Sequence, residues 1–224
     1  MAINLSQRGF LNPDKAEQNL KTIDVILRSQ KLDEILSLIV DASANSFDPD
    51  RALNNFERFF VAIEDANLLK IILSDAERNL RILSYIFSGS QYLTDILIKN
   101  PSYASWLINP EILKKSRFKD EMYNDLSYMF SKLVVSGANP SISYKEKANS
   151  LRRFRNMEFL RIGLRDLMKE ADTIETIEDL SNVADICLQI AYEYCHSELE
   201  SKYGIPYFED ELIGLKRKCE FVIL

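Results

Sequence analysis

The chain has 224 residues, of which 46% are hydrophobic and 28% charged, so it can bury a substantial core in one domain or two small ones. Its formal net charge of −6 argues against general nucleic-acid binding, which needs a basic face or stripe. No apolar run approaches the span of a membrane helix, so no membrane partner is expected.

The opening stretch, MAINLSQRGFLNPDKAEQ, lacks the apolar core of a signal peptide, which makes the cytoplasm the expected compartment. From Asp14 to Ala42, Leu20, Ile23, Ile26 and Leu27 recur on one face and Ile35, Leu36, Leu38 and Ile39 on another, which predicts two packed helices separated near Gln30. Asp48-Pro49-Asp50 opens the next helix: the first aspartate can cap, proline suits the first turn, and the second acid favours the positive end of the helix. Leu53, Phe56, Phe60 and Ile63 form its apolar stripe, widened by Phe59.

Ser74 and Glu77 make a capping-box pattern before Leu80, Ile82, Leu83, Ile86 and Phe87. Ser88-Gly89-Ser90 then breaks the helix and restarts it. Asn100-Pro101 and Asn109-Pro110 bracket a short segment whose Trp106 is expected to anchor in the core. Phe118 to Val135 is helical by periodicity and is ended by Gly137-Ala138-Asn139-Pro140, while Ser143 with Glu146 forms a second possible capping box.

The next helix carries the densest chemistry, LRRFRNMEFLRIGLRDLM at 151–168. At about 100° per residue, Leu160, Leu164, Leu167, Met157 and Met168 fall on one apolar arc, and Arg155, Glu158, Arg161 and Arg165 share a neighbouring sector. Glu158 can serve Arg155 and Arg161 at i,i+3, whereas Arg165 has no acid at helical spacing, so an anion from elsewhere would fit it. Two readings stand for these four residues. Arginine-glutamate stripes are commonly structural ion-pair networks, whereas guanidinium forks also suit phosphate groups and acidic surfaces. If the stripe borders a nucleotide cleft, Arg161→Ala or Arg165→Ala should lower activity with little loss of stability. Gly163, costly inside a helix, is expected to admit a close neighbour.

After a turn near Asp172 and Thr173, a final helix runs from Ile177 to Tyr203, with Leu180, Val183, Ala184, Cys187, Leu188 and Ala191 on its expected packed side. Gly204 stops it and Pro206 follows. Cys187, Cys195 and Cys219 are odd in number and lack paired spacing, which points to reduced, buried structural thiols. His196, the only histidine, adjoins Cys195, and adjacent helical residues point about 100° apart, a poor geometry for a catalytic pair or a shared metal. Lys216-Arg217-Lys218 precedes Cys219-Glu220-Phe221-Val222-Ile223-Leu224, the one convincing strand. A buried strand needs hydrogen-bonding neighbours, so its sheet is expected to lie downstream; a short tail packed on helices is the other reading.

DPDRALNNFERFF at 48–60, SGSQYLTDILIKNP at 88–101, LRRFRNMEFLRIGLRDL at 151–167 and ETIEDLSNVADICLQIAYEYCHSELESKYGIP at 175–206 together resemble the amino-terminal part of the bacterial glutamine synthetase adenylyltransferases. The resemblance implies an all-α, multi-helix bundle over 1–206, followed at 207–224 by a linker and the first strand of a nucleotidyltransferase domain. It implies a parent enzyme that adenylylates a tyrosine of glutamine synthetase with ATP and Mg²⁺, removes the AMP by phosphorolysis, and answers to a nitrogen-signalling regulatory protein. The family's glycine-rich turn and Asp-x-Asp strand are absent from this sequence, so the resemblance carries over no catalytic, cofactor or metal residue. The chain alone is expected to be a non-catalytic helical scaffold. A free-standing adaptor that binds an acidic protein surface through Arg155, Arg161 and Arg165 is the alternative.

Overall fold

A computed structural model describes residues 5–27, 32–135, 143–210 and 215–219. The described residues form eleven α-helices and a single two-stranded antiparallel ribbon, so the chain is all-α as expected. In chain order the helices are α1 (Pro13–Leu27), α2 (Leu32–Ala44), α3 (Pro49–Ala62), α4 (Ala66–Leu73), α5 (Ala76–Gly89), α6 (Gln91–Lys99), α7 (Tyr103–Leu107), α8 (Pro110–Leu113), α9 (Lys119–Val135), α10 (Ser143–Leu167) and α11 (Thr173–Tyr203). The ribbon pairs β1 (Tyr207–Asp210) with β2 (Leu215–Lys218). None of the helices among the described residues is long and apolar enough to cross a membrane.

The chain divides into two compact units. The first comprises Met1–Phe118 and Arg152–Ser181. Its core is built around α3, which packs against α1, α2, α5 and α6. Asp48 caps α3 by accepting from Arg51 N at 3.0 Å, and Pro49 occupies the first turn. Asp50 does more than face the helix end, since its carboxylate accepts the backbone amides of Leu11 at 2.7 Å and Asn12 at 3.1 Å. Phe56, Phe59, Phe60 and Phe87 are fully buried: Phe56 meets Phe87 edge-on with centroids 4.9 Å apart and stacks on Phe60 at 6.2 Å, while Phe59 lies tilted against Phe60 and Phe87. Such aromatic pairs add about 0.5–1.5 kcal/mol each beyond their burial. Trp106 is partly buried and packs against this core.

Two local expectations shift. Ser74 ends α4, a helix absent from the sequence reading, and Asp75 caps α5 by accepting from Arg78 N. An aspartate one residue on competes for the same role, and its shorter reach to the first turn wins. The Ser88-Gly89-Ser90 break holds: Ser90 closes α5 through its amide and caps α6 through its hydroxyl. A Cβ on Gly163 would lie 2.5 Å from Leu93 Cδ1, and one on Gly89 would lie 2.6 Å from Leu167 Cδ2, so both glycines admit close packing between α10 and its neighbours.

The second unit comprises Lys119–Leu151 and Asn182–Leu224. Met122 and Leu126 of α9 and Val183, Ile186 and Ile190 of α11 supply its buried apolar side chains. Polar ties run along the same pairing: Tyr123 donates to Glu193 at 2.8 Å, and Lys119 meets Asp185 at 2.6 Å. Lys147 of α10 sits 3.5 Å from the ring centroid of Tyr194, and burial pulls its amine below the usual lysine range.

The packed face of α11 differs from the expected one. Asp179, Val183, Ile186 and Ile190 point inward, while Leu180 and Leu188 are 40% and 51% exposed. Asp179 takes an inward position because its carboxylate meets the Arg161 guanidinium. Cys187 and Cys219 are only half-buried and Cys195 is exposed, so the three cysteines, none in a disulfide among the described residues, are not the buried structural ones expected. The β1–β2 ribbon, in which Glu209 opposes Lys216, was not foreseen. The separation near Gln30, the turn at 137–140, the Ser143 cap and the strand at 220–224 lie outside the described residues.

Candidate functional site

The arginine-bearing half of α10 belongs to the first unit, and its geometry follows from where each guanidinium finds a carboxylate. Arg161 is fully buried. Its Nε donates to Glu158 Oε2 at 2.7 Å, one turn back on the same helix, and its Nη2 donates to Asp179 Oδ2 at 2.8 Å from α11. Glu158 spends its other oxygen on Arg117 Nη1 at 2.5 Å, and Asp179 accepts from the Ser116 hydroxyl at 2.5 Å. The segment between α8 and α9 is thereby clipped to both long helices.

Arg165 completes the arrangement. It pairs with Glu175, lies 3.9 Å from Asp179, and donates through Nε to Leu113 O at 3.1 Å and through Nη2 to Glu170 O at 3.3 Å. The anion that its own helix does not provide comes from the first turns of α11. Lys169 turns the chain between the two helices with a φ of 62°. Three cations (Arg117, Arg161, Arg165) therefore face three carboxylates (Glu158, Glu175, Asp179), and the cluster is balanced within the chain. Among the cluster's buried side-chain nitrogens and oxygens, as far as the described residues go, Arg161 Nη1 is the one without a hydrogen-bond partner.

Arg155 stands apart from these three. It is exposed, donates to Asn156 Oδ1 at 3.2 Å, and lies 5.9 Å from the ring centroid of Phe159, which in turn meets Tyr92 at 6.3 Å. The four residues of the sequence stripe thus separate into a buried trio and one surface cation. Removing one member of a buried pair costs about 3–5 kcal/mol because the other charge is left uncompensated.

Beside Leu113 and Glu170, whose carbonyls Arg165 holds, lies a shallow depression of about 210 Å³ lined also by Arg78, Arg81 and Lys114. Arg78 is committed to Ile108 O at 2.8 Å, and Lys114 pairs with Glu111. These cations come from α5 and the end of α8, too far apart in sequence to read as a patch; only the i,i+3 spacing of Arg78 and Arg81 hints at it. Among the described residues no group of three or more His, Cys, Asp or Glu side chains is placed to hold a metal ion. His196 turns to Glu200 at 3.5 Å and to the Tyr192 ring.

The sequence profile of the glutamate-ammonia ligase adenylyltransferases matches residues 80–216, a span that includes the whole of the buried cluster. Curated relatives carry the name bifunctional glutamine synthetase adenylyltransferase/adenylyl-removing enzyme. The protein from Thioalkalivibrio sulfidiphilus is 20% identical over 79% of this chain and 18% of its own length. That from Rhodopseudomonas palustris is 23% identical over 76% of this chain and 16% of its own length. That from Pseudomonas aeruginosa is 43% identical over 27% of this chain and 6% of its own length. The chain thus spans less than a fifth of the length of these relatives. No solved structure matches it.

Proposed function

Because the chain belongs to the glutamate-ammonia ligase adenylyltransferase family, we propose that it forms the helical region ahead of the first nucleotidyltransferase domain of a longer enzyme. That enzyme transfers AMP from ATP to a tyrosine of glutamine synthetase with Mg²⁺, and removes it by phosphorolysis. The observation that carries this reading is the extent of the profile match, which runs unbroken from α5 through α11 into β2. The short coverage of the relatives supports assigning the chemistry elsewhere in the polypeptide and a supporting role here.

In this role the residues of α10 act on the protein itself. Glu158, Arg161 and Asp179 fix α10, α11 and the segment before α9 in one register, and Arg165 fixes the turn between the long helices. A clip of this kind positions whatever the two helices support. A regulatory protein of nitrogen signalling and a cytoplasmic setting belong to the same reading.

The test compares the purified 224-residue chain with the family-length enzyme, using glutamine synthetase, ATP and Mg²⁺ in one direction and phosphate in the other. Transfer in both directions by the longer protein and none by the chain is the expected result. Robust turnover by the chain alone would overturn the scaffold role. Of the three arginines in the adaptor reading, Arg161 and Arg165 are buried, which leaves Arg155, whose exposed guanidinium lies beside Phe159. For that reading, Arg155→Glu weakens binding of an acidic partner without moving the melting temperature; unchanged binding removes it.

A further inference from the structure

Two of the three cysteines line one groove of the second unit. The groove, of about 590 Å³, has Cys195, His196, Leu199 and Glu200 of α11 on one wall and Pro206 and Cys219, beside the ribbon, on the other. Cys187, earlier on the same helix, is not part of its wall. Cys195 is exposed and Cys219 half-buried, so a small reagent reaches the first thiol directly and the second lies in the same recess.

Two ties bring the end of β2 to this place. The Cys219 amide donates to Pro206 O at 2.9 Å, and Lys218, next to it in sequence, donates to Glu200 at 2.9 Å. Cys219 is thereby held beside the part of α11 that follows Cys195. The hold is light, because an ion pair in contact with water contributes little. Among the described residues β1 and β2 pair only with each other, and Tyr207 and Phe208, on opposite faces of β1, are both exposed. Such a ribbon is marginal in water. Its end can therefore settle at the Cα separation of about 4.4–6.8 Å that a disulfide requires without breaking packed contacts.

We infer that Cys195 and Cys219 form a reversible redox pair, in which a small-molecule disulfide such as oxidised glutathione converts the two thiols to a bond that clasps β2 to α11. The Cys195 thiolate attacks one sulfur of the small disulfide, whose S–S bond breaks and releases one thiol; the Cys219 thiolate then attacks the Cys195 sulfur and releases the second. The two protein thiols are oxidised, the small disulfide is reduced to two thiols, and the two protons from the protein leave with them. Reduced, the ribbon is tied to the helix by Lys218 and Glu200; oxidised, it is tied covalently. In a reducing compartment a bond of this kind is transient and reports oxidation.

The test equilibrates the 224-residue chain with reduced and oxidised glutathione, traps the remaining thiols with iodoacetamide, and weighs the digested peptides. A Cys195–Cys219 peptide pair lighter by two hydrogens is expected, formed within one chain, kept in Cys187→Ser and released by dithiothreitol. The linked fraction at a given ratio of glutathione disulfide to squared thiol gives the effective concentration of the two thiols. A value roughly tenfold or more above that of the same chain in urea is expected, because the fold holds them together where the intervening loop alone would not. Protection of the β2 amides should rise in the linked form. Equal effective concentrations in buffer and in urea would overturn the inference. So would a Cys195 that stops at the glutathione adduct while Cys219 stays open to iodoacetamide, or a link that forms only between chains.

Discussion

The buried arginine cluster of the first unit and the far end of α11 with the ribbon in the second treat charge and apolar surface in opposite ways. In the first, three guanidiniums are drawn inside and matched by three carboxylates of the same chain, and Arg161 is wholly removed from solvent. In the second, leucines and tyrosines stand on the surface of α11 and the ribbon. The buried cluster has its counter-charges within the polypeptide, so it fixes the register of the helices that carry it; among the described residues the apolar face of α11 stays in water.

The sharpest way to break this contrast is Arg161→Leu. It strands Glu158 and Asp179 beneath the surface, and urea unfolding should show a loss of about 3–5 kcal/mol. A loss below about 0.5 kcal/mol would mean that the cluster is hydrated and the contrast is false. Gly163→Ala comes next: overpacking against Leu93 costs about 1–3 kcal/mol, offset by about 1 kcal/mol of helix propensity, and pairing it with Leu93→Val should recover the difference. Asp48→Ala removes the α3 cap and should lower stability by about 1 kcal/mol in the same assay.

Smaller effects sharpen the other side. Leu199→Glu in the 224-residue chain should stay within about 0.5 kcal/mol of the parent, since its side chain is already in water. The ribbon's tie to α11 should depend on pH. Hydrogen bonding to Lys218 holds the Glu200 carboxyl below its usual value, and the same contact holds the lysine above its own. The glutamate's contribution is present above the unfolded carboxylate pKa and disappears as pH falls through the lower folded one. The lysine's contribution is present below the unfolded amine pKa and disappears as pH rises through the higher folded one. Protection factors of the β2 amides, corrected for the intrinsic pH dependence of exchange, should therefore fall at acid pH, and Lys218→Met should remove that dependence.

Much of this was legible locally. The Asp48-Pro49 start, the phenylalanine stripe of α3 and the serine at position 90 declare themselves within a few residues, because caps and helical spacing act over one turn. The close approach at Gly163 was legible too, since a glycine amid good helix formers needs a packing reason. The stripe of Arg155, Glu158, Arg161 and Arg165 was visible as a stripe, but not its fate. Its counter-charges sit on other elements: Arg117 lies 41 residues from Glu158, and Asp179 lies 18 residues from Arg161. The expected face of α11 holds in part: Val183 is buried, whereas Leu180 and Leu188 are exposed and Asp179, a charged residue that periodicity places outside, is buried against Arg161. The ribbon escaped notice because its strands are short and charged; the opposition of Glu209 to Lys216 was the signal available.

Ser90 has one more implication. Since a single residue both terminates α5 and initiates α6, no slack exists at that corner, and the two helices must move as a fixed elbow. Lengthening the corner by even one glycine would swing Leu93 off Gly163, so the spacing of this joint, more than the identity of any residue in it, decides whether α10 can seat.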